Sequence, residues 1–152
     1  MKEQRRGARI AMSAEERDAF LGEERMCRVA TVGAGGAPHV SPLWFVWDGN
    51  ALWLNSVVKS QRWTNAVRDP RVSVVVDAGR EFDELRGVEF IGEVEVVGDV
   101  PRSADADPAL EVPERLFGEK YAGGAFQPDG RHAWLRLSPE KIVSWDFRKM
   151  AG

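Results

Sequence analysis

The sequence feature that most constrains the fold is a series of short, strand-like segments joined by turns. Glycine-rich turns at 33–36 and 48–50 separate the first three segments, and such turns favour hairpins between antiparallel neighbours. The predicted strands, rich in β-branched and aromatic residues, lie at 27–32, 39–47, 51–55, 72–77, 88–97, 133–137 and 142–147. This pattern predicts a mainly β (α+β) fold, with an antiparallel barrel closed or nearly closed and few flanking helices.

Helices are predicted at three places between these strands. Ser13 followed by Glu16 forms a capping box, so the first helix begins there and runs to about residue 24. The last of the three helices ends near Tyr121, and a final hairpin is predicted around 138–140. The segment 1–12 is polar and basic, and we expect it to be flexible. Residues 13–152 are predicted to form a single domain.

Bulk composition excludes several functional classes. The chain has 152 residues, 43% of them hydrophobic and 30% charged, which is typical of a soluble globular protein. A net charge of −3 argues against general nucleic-acid binding, and no apolar run is long enough to span a membrane. The basic N-terminus lacks the apolar stretch of a secretory signal, and a lone cysteine fits a reducing compartment, so a cytoplasmic location is expected.

The middle helix, over 60–68, has an unusual charge pattern. Ser60 is a suitable N-cap, and Trp63, Ala66 and Val67 form one apolar stripe. Lys59 and Arg62 lie at the start of this helix, where the helix dipole is already positive. A serine hydroxyl, free backbone N–H groups and two cations together suit a phosphate. The alternative interpretation is that Lys59 and Arg62 are ordinary solvated side chains beside an N-cap serine.

Proline inside a predicted strand is a second irregular feature. Pro42 cannot donate a ladder hydrogen bond, so the strand at 39–47 is either a sheet edge or bulged there. Backbone groups freed in this way could contact a ligand, and a plain edge strand is the simpler interpretation. Trp44, Trp47 and Trp53 lie in the hairpin before the predicted anion site. They could border a flat aromatic ligand or be buried in a homodimer.

Few residues of this sequence are typical of catalysis. The chain has two histidines and one cysteine, and no set of side chains has the spacing of a metal site. His39 could donate a proton, but a lone histidine on a strand is more often polar surface, and Tyr121 is more plausibly a packing residue. No catalytic or metal-ligating residue is therefore predicted, and an enzyme of this sequence would depend on a bound cofactor.

Several segments resemble one known family, the flavin split barrels related to pyridoxamine 5′-phosphate oxidase. The similarity is greatest to the branch of flavin/deazaflavin oxidoreductases that uses coenzyme F420, and it covers roughly residues 13–148. The segments that carry it are PHVSPLW at 38–44, LWLNS at 52–56, K-S-x-R at 59–62, RDPRVS at 68–73 and EKIVSWDF at 140–147.

The resemblance implies a split β-barrel of six strands that forms a homodimer, with two cofactor sites at the interface. Arg62 stands where the family places a basic side chain on the cofactor phosphate, with Lys59 and Ser60 beside it. The other residues expected at the cofactor are Asn55 and Ser56 near the ring or its ribityl chain, Ser41, Pro42 and Leu43 in the strand that meets the ring, and Trp63 next to Arg62.

The sequence departs from the pyridoxamine-phosphate oxidases themselves in two ways. Their C-terminal arginine motif for the substrate phosphate is absent, which argues against vitamin B6 oxidation. Gln61 stands where those oxidases carry an arginine on the FMN phosphate, which favours the deazaflavin.

The resemblance implies an oxidoreductase that uses reduced F420 to transfer a hydride to an unsaturated or quinone-like small molecule. Solvent could then supply the proton. An FMN-dependent oxidoreductase of the same fold is the first alternative, and a non-catalytic flavin-type or haem carrier is the second. A small-molecule substrate and a homodimer are the expected partners, with no nucleic acid and no membrane.

Overall fold

The computed structural model describes residues 1–151, and it contains a closed antiparallel barrel of six strands in the order β1-β2-β3-β6-β5-β4. This confirms the predicted fold class. The strands are β1 Met26–Val32, β2 Pro38–Trp47, β3 Leu52–Val57, β4 Arg71–Ala78, β5 Arg86–Val97 and β6 His132–Asp146. The α-helices are α1 Ala14–Glu23, α2 Gln61–Arg68 and α3 Glu111–Tyr121.

The predicted hairpin at 138–140 was wrong, because β6 is one continuous strand. Residues 132–137 of β6 pair with β3, and nearly the whole strand pairs with β5. The register with β5 shifts between Ile91 and Gly92, where Pro139 lies opposite Gly92. A proline cannot donate to a ladder and is tolerated at a bulge, so Pro139 marks an irregularity within the strand and not a chain reversal.

Two hydrophobic clusters lie on opposite sides of the barrel wall. Alternate strand residues fill the barrel interior, including Val29, Leu54, Phe90 and Leu135. A smaller cluster lies on the outer face beneath α3 and contains Val46, Trp53, Leu110 and Trp134. Helix α3 and the residues around it therefore cover the outer face of β3 and β6. Part of this cover forms one wall of the site described below.

Helix α2 buries a different face from the one predicted. Trp63 and Ala66 are buried as expected, but the side chain of Val67 is 56% exposed. Asn65 is fully buried instead, and its Nδ2 donates to Thr31 Oγ1 at 3.1 Å. A buried amide with a hydrogen-bond partner is stable in a core, and a search for apolar periodicity alone does not find it.

The N-terminal segment lies along β6. Lys2 N donates to Glu140 O at 2.7 Å, and the Gln4 side chain bonds both the N–H and the carbonyl of Ser144. The flexibility expected for residues 1–12 stays a prediction. Among the helices of residues 1–151, none has the length and apolar character that crossing a membrane would require.

Candidate functional site

The site lies where β2 and β3 separate. These strands pair only from Phe45 to Trp47 on β2, and residues 38–44 of β2 pair with β1 alone. Pro42 lies in this half-paired part, opposite Arg28 of β1. Because β3 does not pair with this part of β2, the missing N–H of Pro42 interrupts no hydrogen bond between β2 and β3. The separation opens the barrel wall and exposes the backbone of β2 along one side.

Arg62 of α2 bridges the two separated strands. Its Nη1 donates to Ser41 Oγ of β2 at 2.8 Å, and its Nε donates to Ser56 Oγ of β3 at 3.1 Å. The loop before the helix is tightened by Ser60, whose Oγ accepts from Trp63 N at 3.1 Å and donates to Val57 O at 2.8 Å. The guanidinium is thus held in one orientation by two hydroxyl groups.

Arg62 has no acidic partner. It is only 9% exposed and forms no salt bridge among the residues that the structure describes. Burial lowers the pKa of Arg62, yet an arginine in a protein stays protonated at neutral pH. A buried charge that meets only neutral hydroxyls is costly, and it attracts an anion from solution. The first N–H groups of α2, which have no acceptor inside the helix, add positive potential at this end.

A cavity of about 360 Å³ lies beside Arg62 on the outer face of the barrel. This volume is in the range of small-ligand sites, roughly 300–1,000 Å³. Aromatic rings and a few polar groups form its walls. The cavity is lined by Leu43, Trp44, Asn55, Arg62, Arg102, Phe117, Phe126, Gln127, Pro128, Asp129 and His132.

Trp44 forms a rigid aromatic wall of this cavity. Its ring stacks on Tyr121 with centroids 4.4 Å apart and planes within 7°. The guanidinium of Arg25 lies over both rings, at 5.5 Å and 5.1 Å from the centroids. Tyr121 and Arg25 hold the indole in place, and the side chain remains 42% exposed, so part of Trp44 is accessible to a flat ligand.

Another part of the cavity wall is fixed by a buried ion pair. Arg102 Nε and Nη2 donate to the two carboxylate oxygens of Glu114 in α3, at 2.7 Å and 3.1 Å. Glu114 also accepts from Trp134 Nε1 at 3.0 Å, and Arg102 N donates to His132 O at 2.8 Å. This network ties α3, the loop after β5 and the start of β6 together, so the second guanidinium of the cavity is already neutralised.

The predicted site residues fall into three groups. Leu43, Asn55 and Arg62 line the cavity. Ser41, Ser56 and Ser60 hold Arg62 or the start of its helix. Pro42 lies on the half-paired part of β2, Lys59 is exposed outside the cavity lining, and Trp63 is packed in the barrel core.

Of the tryptophans proposed to border a ligand, only Trp44 lines the cavity. Trp47 donates to Asp18 from Nε1, and Trp53 packs in the outer cluster.

Sequence reasoning missed the residues that the segment 98–132 brings to the cavity. This segment, which contains α3, is a long connection between β5 and β6, so hairpin geometry does not predict the path of the chain through it. Asp129 and His132 did carry a local signal, since a carboxylate three residues before a histidine can bond the imidazole. The residues concerned are Arg102, Phe117, Phe126, Asp129 and His132.

Comparisons with known proteins are consistent with this architecture. The chain is 32% identical to a conserved hypothetical protein from Mycobacterium tuberculosis, with a TM-score of 0.81, and the match covers 99% of this chain and 94% of that one. An F420 reductase is 26% identical, with a TM-score of 0.61, over 82% of this chain and 94% of that one.

The haem storage protein HutZ from Vibrio cholerae has the same fold at 19% identity, with a TM-score of 0.69, over 86% of this chain and 93% of that one. Among the curated proteins, none matches the chain. The family model described as pyridoxamine 5′-phosphate oxidase matches residues 13–146. The chain therefore belongs to the pyridoxamine 5′-phosphate oxidase family.

Proposed function

We propose that this protein is an oxidoreductase that binds a flavin-type cofactor, preferentially the deazaflavin F420, in the cavity beside Arg62. The observation that carries the proposal is the buried guanidinium of Arg62, held by two serine hydroxyls without an acidic partner. A phosphate group would complete this site, because it supplies the charge and the acceptor oxygens that the protein lacks there.

The other residues of the cavity suit the rest of such a cofactor. Asn55 offers an amide to the cavity, and Leu43 and Trp44 offer apolar surface to a planar ring. When bound in its reduced form, the cofactor would supply a hydride to an unsaturated or quinone-like molecule. The protein would bind the cofactor, orient the acceptor and exclude water from the cavity.

Two observations favour F420 over FMN. By the family resemblance, Gln61 stands where the oxidases carry a second phosphate-binding arginine, and its side chain donates to Asn65 Oδ1 at 2.7 Å within α2. The F420 reductase that is 26% identical to this chain has the same fold. FMN remains the alternative cofactor.

Haem storage is the second candidate function. A haem carrier needs an axial ligand, and His132 lines the cavity. The fold shared with HutZ is compatible with this alternative. A haem titration separates it from the first proposal, because bound haem would give an intense, shifted Soret band.

We also propose that the protein is a homodimer whose interface includes the half-paired part of β2. Residues 38–44 have an open edge, and Val40 in this segment is 66% exposed. A second copy would cover this edge beside the cavity mouth.

The direct test is a tryptophan-fluorescence titration with F420, FMN and haem in parallel. Binding of the deazaflavin with micromolar affinity should quench Trp44, and the Arg62→Ala variant should lose about 1.5–3 kcal/mol of affinity, roughly 10- to 150-fold. Arg68→Ala is the matched control, because this exposed arginine of α2 donates to Val32 O away from the cavity. An unchanged dissociation constant in Arg62→Ala would show that the phosphate assignment is wrong.

A further inference from the structure

An Asp–His pair forms part of the cavity wall. Asp129 Oδ2 lies 2.6 Å from His132 Nδ1, and Asp129 Oδ1 accepts from the backbone N–H of Arg131 and of His132, at 2.9 Å and 3.0 Å. Backbone hydrogen bonds of its own loop thus fix the carboxylate in the orientation in which it contacts the imidazole. Such a partner on Nδ1 sets the ring orientation and leaves Nε2 as the nitrogen available to a ligand.

The position of His132 places it close to the proposed anion site. His132 begins β6 opposite Val57, the last residue of β3, and α2 with Arg62 begins four residues after Val57. His132 and Arg62 line the same cavity. The imidazole Nε2 makes no hydrogen bond within the part of the chain that the structure describes.

The other polar groups of the cavity are poorly suited to giving a proton. Arg62 and Arg102 stay charged, and Arg102 is occupied by Glu114. Burial acts to raise the pKa of Asp129, but hydrogen bonds from Arg131 and His132 outweigh it and hold that pKa below its ordinary value.

Tyr121, which supports the aromatic wall, is also a poor proton donor. Burial raises the pKa of its phenol, and the hydroxyl lies at the carbonyls of Arg25 and Phe45, at 2.8 Å and 2.6 Å. Histidine is the side-chain type that gives and regains a proton most readily near neutral pH.

We propose that His132 is a catalytic residue that donates a proton from Nε2 to the acceptor molecule, and that Asp129 is its positioning residue. This inference rests on the proposed function. Two-electron reduction of a carbonyl or quinone takes up one hydride and one proton. The reduced cofactor, when bound, would supply the hydride. The N–H bond of the imidazolium breaks as an O–H bond forms on the acceptor, and the neutral imidazole regains a proton from solvent.

The first test needs no turnover. Long-range ¹H–¹⁵N NMR spectra should show His132 protonated on Nδ1 in its neutral form, and the Asp129→Asn variant should lose this tautomer preference. Menadione, added to protein loaded with oxidised F420, should shift the Nε2 signal of His132, whereas the signals of His39 should not move. An unshifted Nε2 signal in protein that holds both molecules would overturn the proposal.

The second test is kinetic, with reduced F420 and menadione. His132→Gln should bind F420 as the wild type does and lower kcat by roughly 10²–10⁴-fold, the scale of general acid catalysis. His132→Ala should lose a similar factor and be partly rescued by added imidazole. Arg68→Ala, the exposed control used for binding, should leave kcat unchanged, because Arg68 does not line the cavity.

These outcomes separate the two proposals. Failure of the wild type to bind F420 or FMN would contradict the proposed function. Binding and turnover by the wild type, with unchanged kcat in His132→Gln, would contradict only the role of His132. Loss of kcat in His132→Ala without rescue by imidazole, together with an unshifted Nε2 signal, would indicate a structural role and overturn the proposal.

Discussion

Two buried arginines in the same cavity differ in what surrounds their charge. Arg102 is paired with Glu114 through two hydrogen bonds, whereas Arg62 contacts the hydroxyls of Ser41 and Ser56. The ion pair with Glu114 offsets the desolvation cost of Arg102 within the protein. No carboxylate offsets that cost for Arg62, and a bound anion would do so. Arg62 is therefore expected to contribute little to the stability of the free protein.

This difference can be tested by replacing each guanidinium with an apolar side chain of similar length. Arg62→Met should change the free energy of unfolding of the ligand-free protein by no more than about 1 kcal/mol, because it removes an unpaired buried charge. Arg102→Met should cost about 3–5 kcal/mol, because it leaves the largely buried carboxylate of Glu114 without a cationic partner. Urea denaturation measures both values, and an equally large loss in Arg62→Met would contradict this account.

Gly87 of β5 is expected to tolerate no larger residue. A Cβ added there would lie 2.8 Å from Trp145 Cε2 and 2.9 Å from Val76 O. Gly87→Ala should therefore destabilise the protein by about 1–3 kcal/mol, as overpacking of a core usually does. Gly22→Ala in α1 is the control, since no atom lies within 4 Å of its added Cβ. Thermal unfolding should show a lower Tm for Gly87→Ala alone.

At the scale of the element, helix α1 begins with the predicted capping box, and this box is linked to the C-terminal segment. Glu16 Oε1 accepts from Ser13 N at 2.9 Å and from Lys149 Nζ at 2.7 Å. The Lys149 hydrogen bond, followed by those from Ser13, lowers the pKa of Glu16 from 4.5 to about 2. A carboxyl group with a lowered pKa stabilises the folded state above its unfolded-state pKa.

The Glu16→Gln variant should therefore be less stable than the wild type at neutral pH. The difference should shrink as the pH falls from 4.5 to about 2, where the wild-type carboxyl becomes protonated in the folded state as well. Glu15→Gln is the control in the same helical turn. Urea midpoints measured across this pH range provide the measurement, and a difference that persists unchanged at pH 2 would contradict the linkage.

Most elements could be predicted from the sequence, and the exceptions have local causes. The hairpins and the caps of α1 and α2 depend on neighbouring residues, so short-range patterns found them. Ser138-Pro139-Glu140 has the composition of a turn, but pairing of β6 with β5 on both sides of a bulge keeps the strand continuous. That pairing is a long-range contact that no short window of sequence contains.

At the scale of the molecule, the site was only half predictable. Arg62 and its serine partners come from adjacent segments with a recognisable pattern. Asp129, His132 and Arg102 reach the cavity through long connections, and their positions follow from tertiary packing of α3 on the outer face. The β1-β2-β3 meander was predictable because strands joined by short turns are usually neighbours, whereas the β1–β4 and β3–β6 pairs that close the barrel join distant segments of the chain.

The proposed dimer gives a prediction at the same scale. Light scattering at micromolar concentration should give twice the mass of one chain for the wild type. Val40→Lys should yield monomers, because it places a charge on the open edge of β2. Val112→Lys alters an exposed valine of α3 and should remain dimeric. A monomeric mass for the wild type would contradict the dimer.

The place of β6 between β3 and β5 has a consequence for synthesis. A ribosome makes the other five strands first, and until residues 132–146 emerge, β3 and β5 each present an open edge to the cell. The barrel can close only when the last strand is inserted between two strands made much earlier. Nascent chains stalled before residue 132 should therefore bind chaperones or aggregate, whereas chains extended past residue 146 should resist proteolysis.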